Sequence, residues 1–163
     1  MLNGCARATT AEEARFRVDY PNSAPRRIKV IALDRPAERV VRRLADDEWN
    51  SATFMTAVRN GASVGADWLG DLAGEALSLL DQMSAADHVV TVSIAGESAE
   101  GAAIIAEVCN AQRIMLTALV IDPTNVPEPQ LLRTMAPLRV HASMLVVAKG
   151  EEYVEAMLTA LRA

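Results

Sequence analysis

The sequence predicts an α/β domain, a three-layer sandwich around a mainly parallel, Rossmann-like sheet. Apolar runs of strand length alternate with helical segments along most of the 163 residues. The strand candidates are continuously apolar, as strands buried on both faces are, and the helices between them are long enough to cross back over a sheet. A chain of this length buries a sizeable core without a second domain.

Hydrophobic periodicity and helix-breaking residues give the order of the elements. Residues 1–24 are polar and mixed in charge, which predicts a flexible amino-terminal arm, and residues 25–163 form the domain. Helices are expected over 36–44, 68–83, 101–111, 129–140 and 151–163. Strands are expected to start near Ile28, Thr53, Val89, Leu116 and Met144.

In such a fold a ligand binds beyond the carboxyl ends of the strands. The loops that reach this edge are predicted to be Asp34 to Glu38, Arg59 to Gly65, Gly96 to Gly101 and Asp122 to Pro127.

Composition argues against several classes of partner. The net charge of -5 and an aromatic content of 4% provide neither a basic face nor stacking platforms, so no nucleic acid is expected. Apolar runs are far shorter than the roughly 20 residues that span a bilayer, so no membrane is expected. The amino terminus does not resemble a secretory signal, and Cys5 and Cys109 form no metal or redox spacing, which together predict a cytoplasmic protein with free thiols.

The segment from Gly96 to Gly101 is the first candidate site. Two glycines and the hydroxyl of Ser98 precede a helix, whose amino terminus favours anions, so a phosphate could bind there with Ser93 as a further hydroxyl donor. The alternative is that Ser98 caps the helix and Gly101 allows tight helix packing. Glu97 and Glu100 favour this alternative, because two carboxylates repel a phosphate.

Asp34 is the second candidate. It ends the first strand in a turn without any glycine, where a pyrophosphate could not approach the backbone closely. Its carboxylate could bind a ribose or a partner, but an aspartate in this position is more often a helix cap.

No catalytic or metal site is predicted. His88 and His141 have no acidic or thiol residue at ligand spacing, no serine lies in a nucleophile elbow, and Cys109 lies within an apolar helical stretch. No cofactor is expected.

Several segments in order resemble the amino-terminal GTPase domain of FtsZ, the bacterial tubulin homologue, over roughly Arg27 to Gly150. They include RIKVIALDRPAERVVRRL, the pair Ala86-Asp87 and GAAIIAE at 101–107, which is similar to the helix after the family's phosphate loop. The first family turn is replaced by Asp34-Arg35-Pro36-Ala37, and the phosphate loop keeps only Gly96, Ser98 and Gly101. The resemblance therefore implies a degenerate relative that does not bind GTP.

A second resemblance covers a shorter stretch. Ser93 to Glu100 is similar to the S-x-S-G-x-T-x-E phosphosugar loop of sugar isomerase (SIS) domains, with Ala95 in place of one serine. That resemblance implies a sugar phosphate held by Ser93, Ser98 and the backbone near Gly96.

Two functions are consistent with these features. The preferred one is a non-catalytic FtsZ-like domain that acts by self-association, for example as a homodimer, or through a protein partner. The alternative is the binding of a nucleotide or sugar phosphate at Gly96 to Gly101.

Overall fold

A computed structural model describes residues 25–58, 69–71, 76–99 and 101–163. The arm predicted over 1–24, the loop predicted over 59–65 and Glu100 lie outside the described residues. Within the described part, seven strands form one sheet in the order β4-β3-β2-β1-β5-β6-β7. They are β1 (Ile28–Ala32), β2 (Ala52–Thr56), β3 (Leu69–Asp71), β4 (Ala76–Leu77), β5 (His88–Ile94), β6 (Met115–Ile121) and β7 (Met144–Ala148).

Helices cover both faces of the sheet, which confirms the predicted three-layer α/β fold. They are α1 (Arg35–Ala45), α2 (Leu79–Ser84), α3 (Ala102–Gln112), α4 (Glu128–His141) and α5 (Glu152–Ala160). Apolar residues of α1 and α5 pack on one face, and those of α2, α3 and α4 pack on the other. No helix in the described ranges combines the length and the apolar character that crossing a bilayer requires.

The central parallel strands β1, β5 and β6 owe their apolar character to burial on both faces. In β5, Val90 and Val92 belong to the core under α1 and α5, whereas Val89 belongs to the core under α3. The same alternation in β6 assigns Leu119 to the first core and Ala118 to the second. The five strands predicted from the sequence are the parallel strands of the sheet, and each begins within one residue of its predicted start. They are β1, β2, β5, β6 and β7.

The predicted helix over 68–83 is wrong. Strands β3 and β4 occupy part of this range and extend the sheet in antiparallel fashion beyond β2, and among its described residues only those of α2 are helical. The Ser78 hydroxyl accepts the N–H of Asp81 at 3.4 Å and caps α2, so the helix begins at Leu79, eleven residues after the predicted start. Pairing with β2 overrides the helical period, and Gly70 weakens the helical preference of that stretch.

The topology creates one natural crevice. The chain passes from β1 to β2 on one side and later returns to β5 on the other side of β1. In open parallel sheets, ligands bind at this reversal, beyond the carboxyl ends of the two strands. Asp34 follows β1 at that point, and Ser93 and Ile94 end β5.

Candidate functional site

The carboxylate of Asp34 fills the crevice between β1 and β5. One oxygen, Oδ1, accepts the N–H of Ala37 at 2.7 Å. The other, Oδ2, accepts the Ser93 hydroxyl at 2.7 Å and the N–H of Ile94 at 2.9 Å. Asp34 therefore caps α1, as one of its two sequence interpretations predicts, and it also ties the ends of β1 and β5 together.

This arrangement leaves little for an external anion at the start of α1. Pro36 has no N–H, the N–H of Ala37 is taken by the Asp34 side chain, and the N–H of Glu38 donates to the Asp34 carbonyl at 2.9 Å. A helix amino terminus attracts anions through such groups. Here the attracted anion is the chain's own carboxylate, which is only 7% exposed.

Burial raises the pKa of Asp34 above its ordinary value of 3.8, and the charge of Glu97 acts in the same direction. The hydrogen bonds from Ser93, Ala37 and Ile94 oppose this rise, because they stabilise the ionised form. The Asp34 carboxylate therefore lies within the electrostatic influence of a second carboxylate, that of Glu97, and two negative charges disfavour a phosphate.

The loop that begins at Gly96 is fixed to α4. Gly96 has a φ of 93°, a conformation that favours glycine. Its N–H donates to Thr134 Oγ1 at 2.9 Å, and the same hydroxyl donates to the Glu97 carbonyl at 2.8 Å. Thr134 is fully buried, so this threonine holds two consecutive loop residues in place.

The remaining predicted site residues differ in their exposure and in their partners. Ser93 is fully buried and its hydroxyl is bound to Asp34, whereas Ser98 is exposed. The N-cap of α3 is Gly101, with no capping hydrogen bond from a side chain, so the interpretation of Ser98 as the cap is wrong. Ser98 lies three residues before this N-cap, too early in the chain for its hydroxyl to occupy the capping position. Within the predicted set, a hydrogen bond joins Asp34 and Ser93.

A second polar cluster lies two strands away at the same edge, after β6. Asp122 is buried, and its Oδ1 accepts the N–H of Val126 at 2.9 Å. Its Oδ2 lies 3.6 Å from Nζ of Lys149, which also donates to the side chain of Asn125. Sequence reasoning placed Asp122 in an edge loop but missed the cluster, because Lys149 follows a different strand.

Nucleophilic or metal chemistry has little support in the described residues. Burial raises the pKa of the Cys109 thiol to about 11, which keeps it protonated near neutral pH. No group of three potential metal-ligating side chains (His, Cys, Asp or Glu) is found in the described ranges.

A shallow cleft of about 260 Å³ lies between α1 and α5 and contains none of the predicted site residues. Its apolar lining residues are Val40 and Leu44. An ion pair between Arg43 and Glu151 crosses it, and the other lining residues are Asp47, Glu152 and Glu155. Its acidic rim disfavours the phosphorylated ligands considered for the edge of the sheet.

No protein-family model matches the chain, and no curated protein matches it in sequence. The FtsZ and SIS resemblances therefore stay predictions that rest on the quoted motifs. One of these motif residues has a structural role, since Asp87 of the Ala86-Asp87 pair binds Arg27 through both carboxylate oxygens.

Proposed function

We propose that this chain is an FtsZ/tubulin-like α/β domain with degenerate nucleotide loops that acts without catalysis, by self-association or through a protein partner. The observation that carries the proposal is the position of Asp34. Its carboxylate accepts the amide hydrogens of Ala37 and Ile94, at the crevice where a parallel sheet of this kind holds its ligand.

The electrostatics of the crevice support the same conclusion. A phosphate would have to displace a buried carboxylate that has three hydrogen-bond donors, and it would do so beside Glu97. Breaking such a network leaves buried donors unpaired, at a cost of roughly 1 to 3 kcal/mol for each group. The negative charges then repel the incoming anion as well.

Calorimetric titration with GTP and GDP in the presence of Mg²⁺ tests the proposal. We expect no saturable binding with a Kd below about 10 μM, which corresponds to about -7 kcal/mol. Tight binding of either nucleotide to the unmodified chain would overturn the proposal.

A pair of variants tests the role assigned to Asp34. In Asp34→Ser the hydroxyl can still cap α1, but the carboxylate is gone from the crevice. Asp46→Ser is the matched control, because it makes the same change of charge at an exposed position at the other end of α1. Asp34→Ser should gain measurable affinity for GDP or inorganic phosphate, and Asp46→Ser should not. Equal behaviour of the two variants would show that Asp34 does not exclude the anion.

The alternative function, binding of a phosphorylated small molecule at Gly96 to Gly101, has a separate test. A thermal-shift screen with nucleotides, sugar phosphates and coenzymes would detect it, because a ligand at 100 times its Kd stabilises a fold by about 2.7 kcal/mol. A shift that Ser98→Asp abolishes would favour the alternative over the proposed function.

A further inference from the structure

Strand β7 ends the sheet with an apolar outer edge. The strand reads Met-Leu-Val-Val-Ala over Met144–Ala148, pairs with β6 on its inner side, and has no described strand on its outer side. Met144 is 44% exposed and Val147 is 39% exposed, whereas the central strand β5 is almost completely buried. Edge strands of soluble proteins are usually protected by a charge, a proline or a bulge. Residues 144–148 contain no charged residue and no proline.

The hydrogen-bonding direction of this edge is known. The carbonyl of Ala148 faces β6, where it accepts the N–H of Asp122 at 2.8 Å. Since the backbone groups of successive strand residues point to opposite sides, the N–H and C=O groups of Leu145 and Val147 face away from β6. The outer edge therefore offers two donors and two acceptors at alternate residues, the pattern that an added strand requires.

We infer that the occupant of this edge is a second copy of the chain, paired antiparallel through β7 about a two-fold axis at Val146. This inference rests on the proposed function and specifies its self-association. The axis places Leu145 of each copy opposite Val147 of the other, and these residues exchange the four outward hydrogen bonds. Val146 then faces its own counterpart as a non-hydrogen-bonded pair.

The side chains are self-complementary in this register. Every opposed pair from 144 to 148 is apolar, and each pair lies on one face of the sheet, because opposite residues of antiparallel strands share a face. Lys149, the first charged residue after the strand, lies opposite Ser143 of the other copy. The two Lys149 residues are about 20 Å apart along the strands, well beyond the Debye length of about 8 Å at physiological salt. Within residues 143–149 the pairing therefore brings no like charges together.

Sedimentation velocity of the full chain, over roughly 1 to 200 μM, tests the dimer, because a seam of five residue pairs is at the small end of stable interfaces. We expect a concentration-dependent dimer that Val147→Lys abolishes, since it brings two new charges to the seam. The matched control is Val140→Lys on α4, the same change at a residue that is 78% exposed and not in the strand. That control should dimerise like the parent chain.

Disulfide trapping tests the register. Non-hydrogen-bonded pairs have Cα atoms about 4.5 Å apart, within the range that a disulfide spans. In a Cys5→Ser background, Val146→Cys should form a covalent dimer under mild oxidation far faster than Val140→Cys. Cys109 does not interfere because it is fully buried.

The outcomes separate this inference from the proposed function. A parent chain that stays monomeric overturns the dimer but leaves a heterologous partner as the proposed function. A dimer that survives Val147→Lys, or equal cross-linking of the two cysteine variants, overturns the β7 interface while self-association stands. Tight GTP or GDP binding overturns the proposed function whatever the state of β7.

Discussion

The ring of His88 and the hydroxyl of Thr117 form a buried hydrogen bond across β5 and β6, with Nε2 2.9 Å from Oγ1. His88 is 3% exposed and Thr117 is fully buried. Burial lowers the pKa of His88 below its ordinary value of 6.5, and the nearby charge of Arg26 lowers it further. The folded protein therefore holds this histidine in its neutral form at pH values where the unfolded chain would already bind a proton.

This shift predicts a loss of stability in mild acid. Between pH 6.5 and the lowered pKa of His88, the unfolded state binds more protons, so the free energy of unfolding falls as the pH falls through that window. Below the lowered pKa the loss from this residue is complete. Urea unfolding from pH 7.5 to 4.5 should show this decline in the parent chain and a weaker one in His88→Gln. His141→Gln, which changes the only other histidine, should keep the contribution of His88.

The Asp34 network predicts a large and non-additive effect on stability. Asp34→Ala removes the cap of α1 and leaves the Ser93 hydroxyl and the Ile94 N–H without their partner, so it should cost about 2 to 4 kcal/mol. Ser93→Ala should cost less, about 1 kcal/mol, since the carboxylate keeps two donors. In a double-mutant cycle measured by urea unfolding, the double variant should lose less free energy of unfolding than the sum of the two single losses. Strict additivity would contradict the coupling of these two residues.

The central parallel strands β1, β5 and β6 were predictable because burial on both faces gives them a continuous apolar pattern. The error over residues 68–83 has a non-local cause. The apolar positions there fit a helical period, but β3 and β4 are held by pairing with β2 and with each other, which a local pattern cannot reveal. The helix prediction is correct only after Ser78, where the short helix α2 begins.

The candidate site was predictable to the extent that it depends on local chemistry. Asp34 before Arg35-Pro36 has the signature of a cap, and it is one. Thr134 was missed, because a threonine inside a helix has no signature that indicates a bond to a loop 38 residues earlier in the chain. The partnership of Asp122 with Lys149 was missed for the same reason, since the sheet brings together residues that follow different strands.

The contact between Arg27 and Asp87 predicts a second, more acidic transition. The guanidinium donates to both carboxylate oxygens at 2.8 and 3.1 Å, and these bonds lower the pKa of Asp87 from 3.8 to about 2. The stabilisation is present in full above pH 3.8. It is lost as the pH falls through about 2, because Asp87 binds a proton near pH 3.8 in the unfolded chain but only near pH 2 in the folded protein. Asp87→Asn should destabilise the chain at pH 7 and have little effect near pH 2.

Both residues of this pair are well exposed, so salt screens their interaction. The difference between Asp87→Asn and the parent chain at pH 7 should shrink between 20 mM and 1 M NaCl. The matched control is Asp46→Asn, which removes one exposed charge elsewhere. Equal effects of the two changes at every pH would contradict a specific role for Asp87.

Thr134 provides the sharpest test of how the Gly96 loop is held. Thr134→Val keeps the shape of the side chain but leaves the Gly96 N–H without its acceptor and the Glu97 carbonyl without its donor, so it should cost about 1 to 3 kcal/mol. Thr159→Val, the same change at an exposed position of α5, should be nearly neutral. Amide hydrogen exchange gives the local readout. The Gly96 N–H should exchange much faster in Thr134→Val than in the parent chain, whereas exchange of the β5 amides should change only as far as the loss of global stability requires. Unchanged exchange at Gly96 would show that the loop is held by its own backbone, in which case the restraint would come from the turn in which Glu97 N–H donates to the Ile94 carbonyl at 3.0 Å.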